Sequence, residues 1–143
     1  MPPASLALEI TESLLPEDGA AVVERLAELR ALGVHIVVDD FGTGYSALSR
    51  LHHFPIDTVK IDRAFITGIE HDSGKAQLVD GIVSLAESLN LVVVAEGLEH
   101  PTQVEQVRHR RAHYGQGYVF SRPVASERMW ALLQDPDVLA AAA

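Results

Sequence analysis

The chain has 143 residues, enough for one ordinary domain, and its 48% hydrophobic and 22% charged content predicts a globular fold rather than disorder. Its net charge of −9 makes DNA or RNA an unexpected partner, because nucleic-acid binding needs clustered cations. The absence of cysteine excludes a disulfide framework and a thiolate metal site, and it suits a cytoplasmic setting. No apolar run reaches the roughly 18 residues of a membrane span, so we expect no membrane contact from this chain.

Short apolar runs alternate with amphipathic helices along the chain. In order, we predict strand SLALEI, helix 17–32, strands VHIVVDD and TVKID, helix 73–89, strand LVVVAE, a helix opened by Pro101, strand GYVF and a last helix capped by Ser126. Strands that are apolar throughout and alternate with helices indicate a parallel sheet covered by helices. The sequence therefore predicts an α/β domain of about five parallel βα units over residues 1–135, with a frayed tail at 136–143.

Each predicted strand ends at or beside a polar residue. These residues are Glu9, Asp39 with Asp40, Lys60, Glu96 and Gln116. An open doubly wound sheet builds its site chiefly where strand order reverses, whereas a (β/α)8 barrel uses the ends of successive strands. Polar ends on successive strands favour the barrel. Such a barrel needs about eight strands, so we expect a partial (β/α)8 TIM-type barrel, about three strands short.

Asp39 and Asp40 stand together where an apolar strand meets the glycine-rich stretch FGTG. Neighbouring side chains on a strand point to opposite faces, so we expect both to serve one site only if the strand ends between them. Two close carboxylates can both stay ionised around cations, and hard oxygen ligands select Mg²⁺, Mn²⁺ or Ca²⁺. A helix N-cap or a solvated turn is the alternative interpretation of an isolated pair of this kind.

Lys60 interrupts an otherwise apolar strand, where a cation is rarely buried without a partner. It can form a salt bridge across the site, for example to Asp40, and it can also lie beside an attacking water that it orients or deprotonates. Glu96 and Glu99 follow the strand LVVVAE, and Glu99 is equally explained as a carboxylate at a helix start. Gln116 lies between two glycines, where the backbone can approach a ligand closely.

Five motifs in this order point to one family. The chain closely resembles the EAL domain of bacterial cyclic di-GMP phosphodiesterases through LALEITES, VVDDFGTGYSAL, VKIDRAFI, VVAEGLE and YGQGYVFSRP. The resemblance extends from about Leu6 to Leu133. It implies a (β/α)8 barrel that hydrolyses cyclic di-GMP to pGpG with Mg²⁺ or Mn²⁺, here represented by the fourth to eighth strands of the family barrel.

The resemblance also implies a role for individual residues, carried over motif by motif. Lys60 would contact the nucleophilic water and act in catalysis together with Glu96. The other implied residues are the metal ligands Glu9, Asp39, Asp40 and Glu99 and the substrate-binding or supporting residues Gln116, Gly42, Thr43 and Gly44.

Three features of the family pattern are missing from this sequence: the Glu-Ala-Leu motif, the phosphate-binding Arg that follows it and a metal-binding Asn. The resemblance therefore implies part of a phosphodiesterase domain with little or no activity by itself. A catalytically degenerate module that binds cyclic di-GMP or a regulatory partner is the alternative. We also expect a homo-oligomer, formed through open barrel edges or through the Phe41–Leu48 loop, which resembles the family's dimer-linked loop.

Overall fold

The computed structural model describes residues 2–15, 19–42 and 51–134, so the predicted tail at 136–143 lies outside the described residues. Its sheet has five strands in chain order, and every neighbouring pair is parallel. The strands are β1 (Ala7–Thr11), β2 (His35–Phe41), β3 (Thr58–Ile61), β4 (Val92–Ala95) and β5 (Tyr114–Gly115). The helices are α1 (Ala20–Ala31), α2 (Arg63–Ile66), α3 (Ser73–Ser88), α4 (Pro101–His109) and α5 (Ser126–Leu133). None of these helices is long and apolar enough to cross a membrane.

The parallel order confirms the predicted α/β architecture, and it is that of a partial barrel. Alternate residues along the strands pack into one core with the helices, and all of them are inaccessible to solvent: Ile36, Val38, Val59, Ile61 and Val93. The register places the intervening residues on the opposite face, with Glu9 level with Val37 and Lys60 level with Val94. This opposite face carries the charged side chains near the strand ends.

The prediction for the last strand was wrong. The run GYVF at 117–120 forms a turn, and β5 lies earlier, at Tyr114–Gly115. The reason is the loop after β4, because Leu98 N donates to Gln116 O at 3.1 Å and Val119 N donates to Leu98 O at 2.9 Å. A Cβ atom on Gly117 would lie 2.0 Å from Leu98 O, so only glycine permits this close approach.

Helix α3 begins at Ser73 as predicted, and the Asp72 side chain caps it by accepting hydrogen bonds from the amides of Gly74 and Lys75. The sequence places Leu78, Ile82, Leu85 and Leu89 in phase along this helix, but of these four Ile82 is buried whereas Leu78 is 45% exposed. The residues that face the core are Val79, Ile82, Val83 and Ala86. In α5 the prediction was off by one position, because Ala125 is the N-cap residue and Ser126 is the first residue of the helix.

The opposite end of the sheet is held by the carboxylate of Asp57. Its Oδ2 accepts a hydrogen bond from Ile36 N at 2.9 Å, and its Oδ1 accepts one from Arg30 Nε, also at 2.9 Å. Ile36 is fully buried, so its amide depends on this side chain for a partner on that side of β2. Asp57 therefore joins α1, β2 and the start of β3.

We expect Asp57→Ala to lower the free energy of unfolding by about 1–3 kcal/mol, because it leaves a buried amide without an acceptor. Arg30→Ala is the matched control and should cost less, about 1 kcal/mol or below, since it removes only the exposed half of the network. Urea unfolding of both variants measures the difference. An equal loss of stability in the two would show that the ion pair, rather than the Ile36 amide, carries the effect.

Candidate active site

Four successive strands bring charged side chains to one point at the carboxyl edge of the sheet. The ammonium of Lys60, on β3, lies 2.7 Å from Glu96 Oε1, 3.1 Å from Glu9 Oε2 and 3.3 Å from Asp39 Oδ1. The salt bridge expected of Lys60 is present, and its partners include these three carboxylates. Active sites of (β/α)8 barrels are built at this edge.

The paired aspartates reach the site by a route that differs from the expected one. Strand β2 does not end between Asp39 and Asp40 but continues to Phe41. The register shifts from Val38 opposite Val59 to Phe41 opposite Ile61, so two residues of β2 stand against the single residue Lys60 of β3. Asp40 has a φ of 55°, a left-handed conformation that Asp tolerates better than most side chains. A β-bulge thus takes the place of the predicted strand end.

The bulge places three carboxylates close together. Ligand oxygens of Asp39, Asp40 and Glu96 all lie within 4.8 Å of one another. Asp39 and Glu96 are half-buried, whereas Asp40 is exposed. The Asp39 carboxylate also accepts a hydrogen bond from the Asp40 amide at 3.0 Å, which fixes its orientation. An all-oxygen set of this kind suits Mg²⁺, Mn²⁺ or Ca²⁺ rather than softer ions.

Lys60 is 7% exposed and keeps its charge in this setting. Burial alone lowers the pKa of Lys60, but hydrogen bonds to Glu96 and Glu9, together with the charge of Glu96, outweigh burial and raise the pKa above its ordinary value of 10.5. The side chain therefore remains an ammonium at neutral pH. It can donate hydrogen bonds, but it cannot accept a proton from water.

A cavity of about 310 Å³ opens beside the three carboxylates. Its walls come from the end of β2 and from the segments that follow β3, β4 and β5. They contain Asp40, Asp62, Arg63, Glu96, Gly97, Glu99, Gln116, Gly117 and Tyr118. Two predicted site residues, Glu99 and Gln116, therefore line the same cavity as Glu96. Glu99 is exposed and stands apart from the group of three close carboxylates.

Gly42 begins the glycine-rich segment, and its backbone amide is bound by the Glu12 side chain. The Gly42 amide donates to Glu12 Oε2 at 2.9 Å, and Glu12 is 7% exposed. Gly42 has a φ of +97°, and a Cβ atom there would lie 2.9 Å from the Phe65 ring. Glycine is therefore required at this position. The other two predicted residues of this segment, Thr43 and Gly44, lie outside the described residues.

Sequence reasoning missed several residues that the structure brings to the site, namely Glu12, Asp62, Arg63 and Tyr118. Glu12 lies three positions after Glu9, and its signal was a second carboxylate in the same strand-end motif. Asp62 and Arg63 directly follow the strand that carries Lys60. Polar residues that follow a barrel strand face the site, and this rule, which identified Asp39 and Asp40, would also have identified Asp62 and Arg63.

Comparisons with known proteins agree with this geometry. The EAL domain profile matches residues 1–123. The Pseudomonas aeruginosa bifunctional diguanylate cyclase/cyclic di-GMP phosphodiesterase MucR is 43% identical over 129 residues, which are 90% of this chain and 19% of MucR. A solved structure of the MucR phosphodiesterase in complex with cyclic di-GMP superimposes with a TM-score of 0.84 at 43% identity, covering 90% of this chain and 52% of that one. The manganese/cyclic di-GMP complex of Klebsiella pneumoniae BlrP1 gives a TM-score of 0.80 at 32% identity, covering 86% of this chain and 31% of that one.

A partial parallel barrel with acidic groups at its carboxyl edge defines the class as that of TIM-type barrel domains. Within that class, the chain belongs to the EAL domain family, whose other members include the cyclic di-GMP phosphodiesterases MucR and NbdA of P. aeruginosa. The chain spans about a fifth of the length of the curated relatives that it matches.

We expect Lys60→Met to lower the free energy of unfolding by about 1–3 kcal/mol in EDTA, because three carboxylates lose their shared cation. Mn²⁺ should stabilise this variant more than the unaltered chain, since a divalent ion restores the missing charge. Because the pKa of Lys60 is raised on folding, its contribution should be constant between about pH 6 and 9 and decline only at more alkaline pH.

Thermal unfolding with and without Mn²⁺ measures these shifts. Lys75→Met is the matched control, because the chain's other lysine bonds the carbonyls of Ala64 and Thr67 instead of carboxylates. It should lose stability without any extra gain from Mn²⁺. A gain of the same size in both variants would contradict the interpretation of Lys60.

Proposed function

We propose that this chain forms the metal-binding and water-orienting part of a phosphodiesterase site that hydrolyses cyclic di-GMP to pGpG. The observation that carries the proposal is the meeting of Asp39, Asp40 and Glu96 within 4.8 Å, next to the ammonium of Lys60. Support comes from the related structures described as cyclic di-GMP complexes of MucR and BlrP1.

The donor set fits divalent cations. One ammonium is shared by Glu9, Asp39 and Glu96, and Asp40 adds a fourth carboxylate, so the acidic groups outnumber the cation among them. We assign Asp39, Asp40 and Glu96 as the groups that would hold Mg²⁺ or Mn²⁺, with Glu9 and Glu99 at the margins. When bound, such ions supply Lewis acidity towards a phosphodiester oxygen. Support for a divalent ion comes from the related BlrP1 complexes described with manganese and with calcium.

The chain's own groups divide the remaining work. Lys60 donates hydrogen bonds and stays protonated, so we assign it to orienting a water molecule rather than to taking its proton. Glu96 bonds Lys60 at 2.7 Å and so fixes the direction of the ammonium. Gln116 lines the cavity beside Glu96, where its amide is available to a polar part of the substrate. The Glu12 carboxylate accepts a hydrogen bond from the Gly42 amide and so fixes the backbone next to Asp40. We therefore assign Gly42 a structural role beside the site.

The second candidate is a module that binds cyclic di-GMP without hydrolysing it. This candidate is supported by the exposure of one side of the site to solvent. Glu9 is 51% exposed and lies on β1, at the edge of the sheet. A site open to water orients substrate and water poorly. We therefore propose that the chain alone binds divalent ions weakly and turns over cyclic di-GMP slowly or not at all. The expected cytoplasmic setting stays a prediction.

Titration calorimetry with Mn²⁺ tests the metal assignment. We expect Asp39→Asn to weaken Mn²⁺ binding about tenfold or more, since it removes a charged oxygen ligand from the group of three. Glu28→Gln removes one charge from an exposed pair on α1 and is the matched control, for which no change is expected. Equal heats for Asp39→Asn and the unaltered chain would overturn the assignment.

An assay with Mn²⁺ and cyclic di-GMP separates the two functions. Binding without release of pGpG supports the binding module, whereas slow release that Asp39→Asn abolishes supports the phosphodiesterase. Neither binding nor hydrolysis at millimolar concentrations would sink both candidates, because it would leave the site without a cyclic dinucleotide ligand.

We also propose that copies of the chain associate through the outer strands β1 and β5. Leu8 on β1 and Tyr114 on β5 are exposed, and each strand has only one neighbour in the described sheet. An unpaired strand edge is a template for pairing with another chain. The net charge of −9 opposes association, so added salt should strengthen it.

Sedimentation equilibrium between about 1 and 100 µM tests this association, because interfaces worth about −8 kcal/mol dissociate in that range. Ala7→Pro is the informative variant. His35 N donates to Leu6 O, so alternation along a parallel ladder directs the Ala7 amide away from β2 and towards the open edge. Proline should block pairing there without breaking the sheet. A 15.5 kDa monomer at every concentration would contradict the proposal.

A further inference from the structure

We propose that Arg63 binds a phosphate group of the substrate, an inference that rests on the proposed cyclic di-GMP function. Arg63 follows β3 by two positions and lines the cavity beside Asp40 and Glu96. Among the nine residues that line this cavity, Arg63 is the one cation, and four others carry carboxylates. A guanidinium in such a place matches the paired oxygens of a phosphodiester, which it can bind through two parallel hydrogen bonds.

The pairing of the charged groups at the site leaves Arg63 as the cation that can bind a phosphate group. Lys60 is already committed to Glu9, Asp39 and Glu96 at 2.7–3.3 Å. Arg63 has no ion pair within the part of the chain that the structure describes. Beyond the charge that bound divalent ions would supply, a dianionic ligand that enters an acidic cavity is favoured by a cation that is not paired with the carboxylates. Arg63, which lines the cavity together with Asp40 and Glu96, supplies that charge.

The backbone beneath Arg63 is held from several directions. Asp62 caps α2 by accepting a hydrogen bond from Ala64 N at 2.8 Å. Lys75 bonds the Ala64 and Thr67 carbonyls at 2.9 and 2.6 Å, which fixes the end of the same short helix. Gly97, with a φ of +69°, passes so close that a Cβ there would lie 2.4 Å from Arg63 Cβ. A long side chain that rises from a fixed base loses less entropy when it binds.

An alternative explanation is that Arg63 only offsets the repulsion among the carboxylates. The two explanations differ in the sign of their effects. If Arg63 binds phosphate, its removal weakens cyclic di-GMP binding, whereas Mn²⁺ binding stays the same or becomes tighter because a like charge has gone. If Arg63 only stabilises the acidic cavity, its removal disturbs the site as a whole, and both ligands are affected in parallel.

The experiment uses the whole chain and two titrations, Mn²⁺ alone and cyclic di-GMP in the presence of Ca²⁺. We expect Arg63→Ala to weaken cyclic di-GMP binding about 10- to 100-fold, the range for one hydrogen-bonded charged contact. Arg63→Lys should be intermediate, because it keeps the charge and loses the planar fork. Mn²⁺ affinity should not fall in either variant. Arg25→Ala, in an exposed pair on α1, is the control and should bind both ligands normally.

Each outcome bears on the inference. Unchanged cyclic di-GMP affinity in Arg63→Ala would overturn it while leaving the proposed function intact. A parallel loss of Mn²⁺ and cyclic di-GMP binding would also overturn it, in favour of a structural role. Failure of the unaltered chain to bind cyclic di-GMP would overturn the proposed function and this inference together. A thermal unfolding curve for each variant shows that a lost affinity is not a lost fold.

Discussion

The ammonium of Lys60 is the interaction on which the carboxyl edge of the sheet depends. It joins Glu9 on β1, Asp39 on β2 and Glu96 after β4 to β3, so one cation links four strand ends. Without it, carboxylates from three different strands would repel one another at close range. With it, they are held together before any ligand arrives. Both the arrangement of the acidic site and the stability of this end of the sheet therefore depend on Lys60.

The same arrangement limits what Lys60 can do in chemistry. Each carboxylate that approaches the ammonium stabilises its charged form, and this raises the pKa of Lys60 although burial opposes the change. A lysine that served as a general base would need the opposite surroundings, with little negative charge nearby. The group is therefore suited to donating hydrogen bonds. A divalent cation that binds here meets the carboxylates of Asp39, Asp40 and Glu96, which already lie close together.

Much of the fold could be predicted from sequence, because apolar strands and amphipathic helices are local patterns. The placement of Glu9, Lys60 and Glu96 in or next to strands follows from these patterns, and so does the meeting of their side chains at one edge. The position of β5 could not be predicted in this way. It depends on hydrogen bonds between Leu98 and the chain at Gln116 and Val119, which lie about twenty residues away in sequence. Arg63 directly follows the β3 motif, so the rule that picks out Asp39 and Asp40 applies to it as well, although an arginine at such a position is equally compatible with a surface role.

The bulge at Asp39 and Asp40 shows why a local rule failed where function is concentrated. In a regular strand, side chains alternate, and Asp40 would share the face of Val38, which is fully buried against the helices. The extra residue removes this conflict. It lets Asp39 and Asp40 together oppose Lys60, and it returns Phe41, which is 1% exposed, to the buried face opposite Ile61. The left-handed conformation of Asp40 is the cost of this solution, and the acidic pair at the site is its result. A sequence shows the two aspartates, but only pairing with β3 reveals that one of them is the inserted residue.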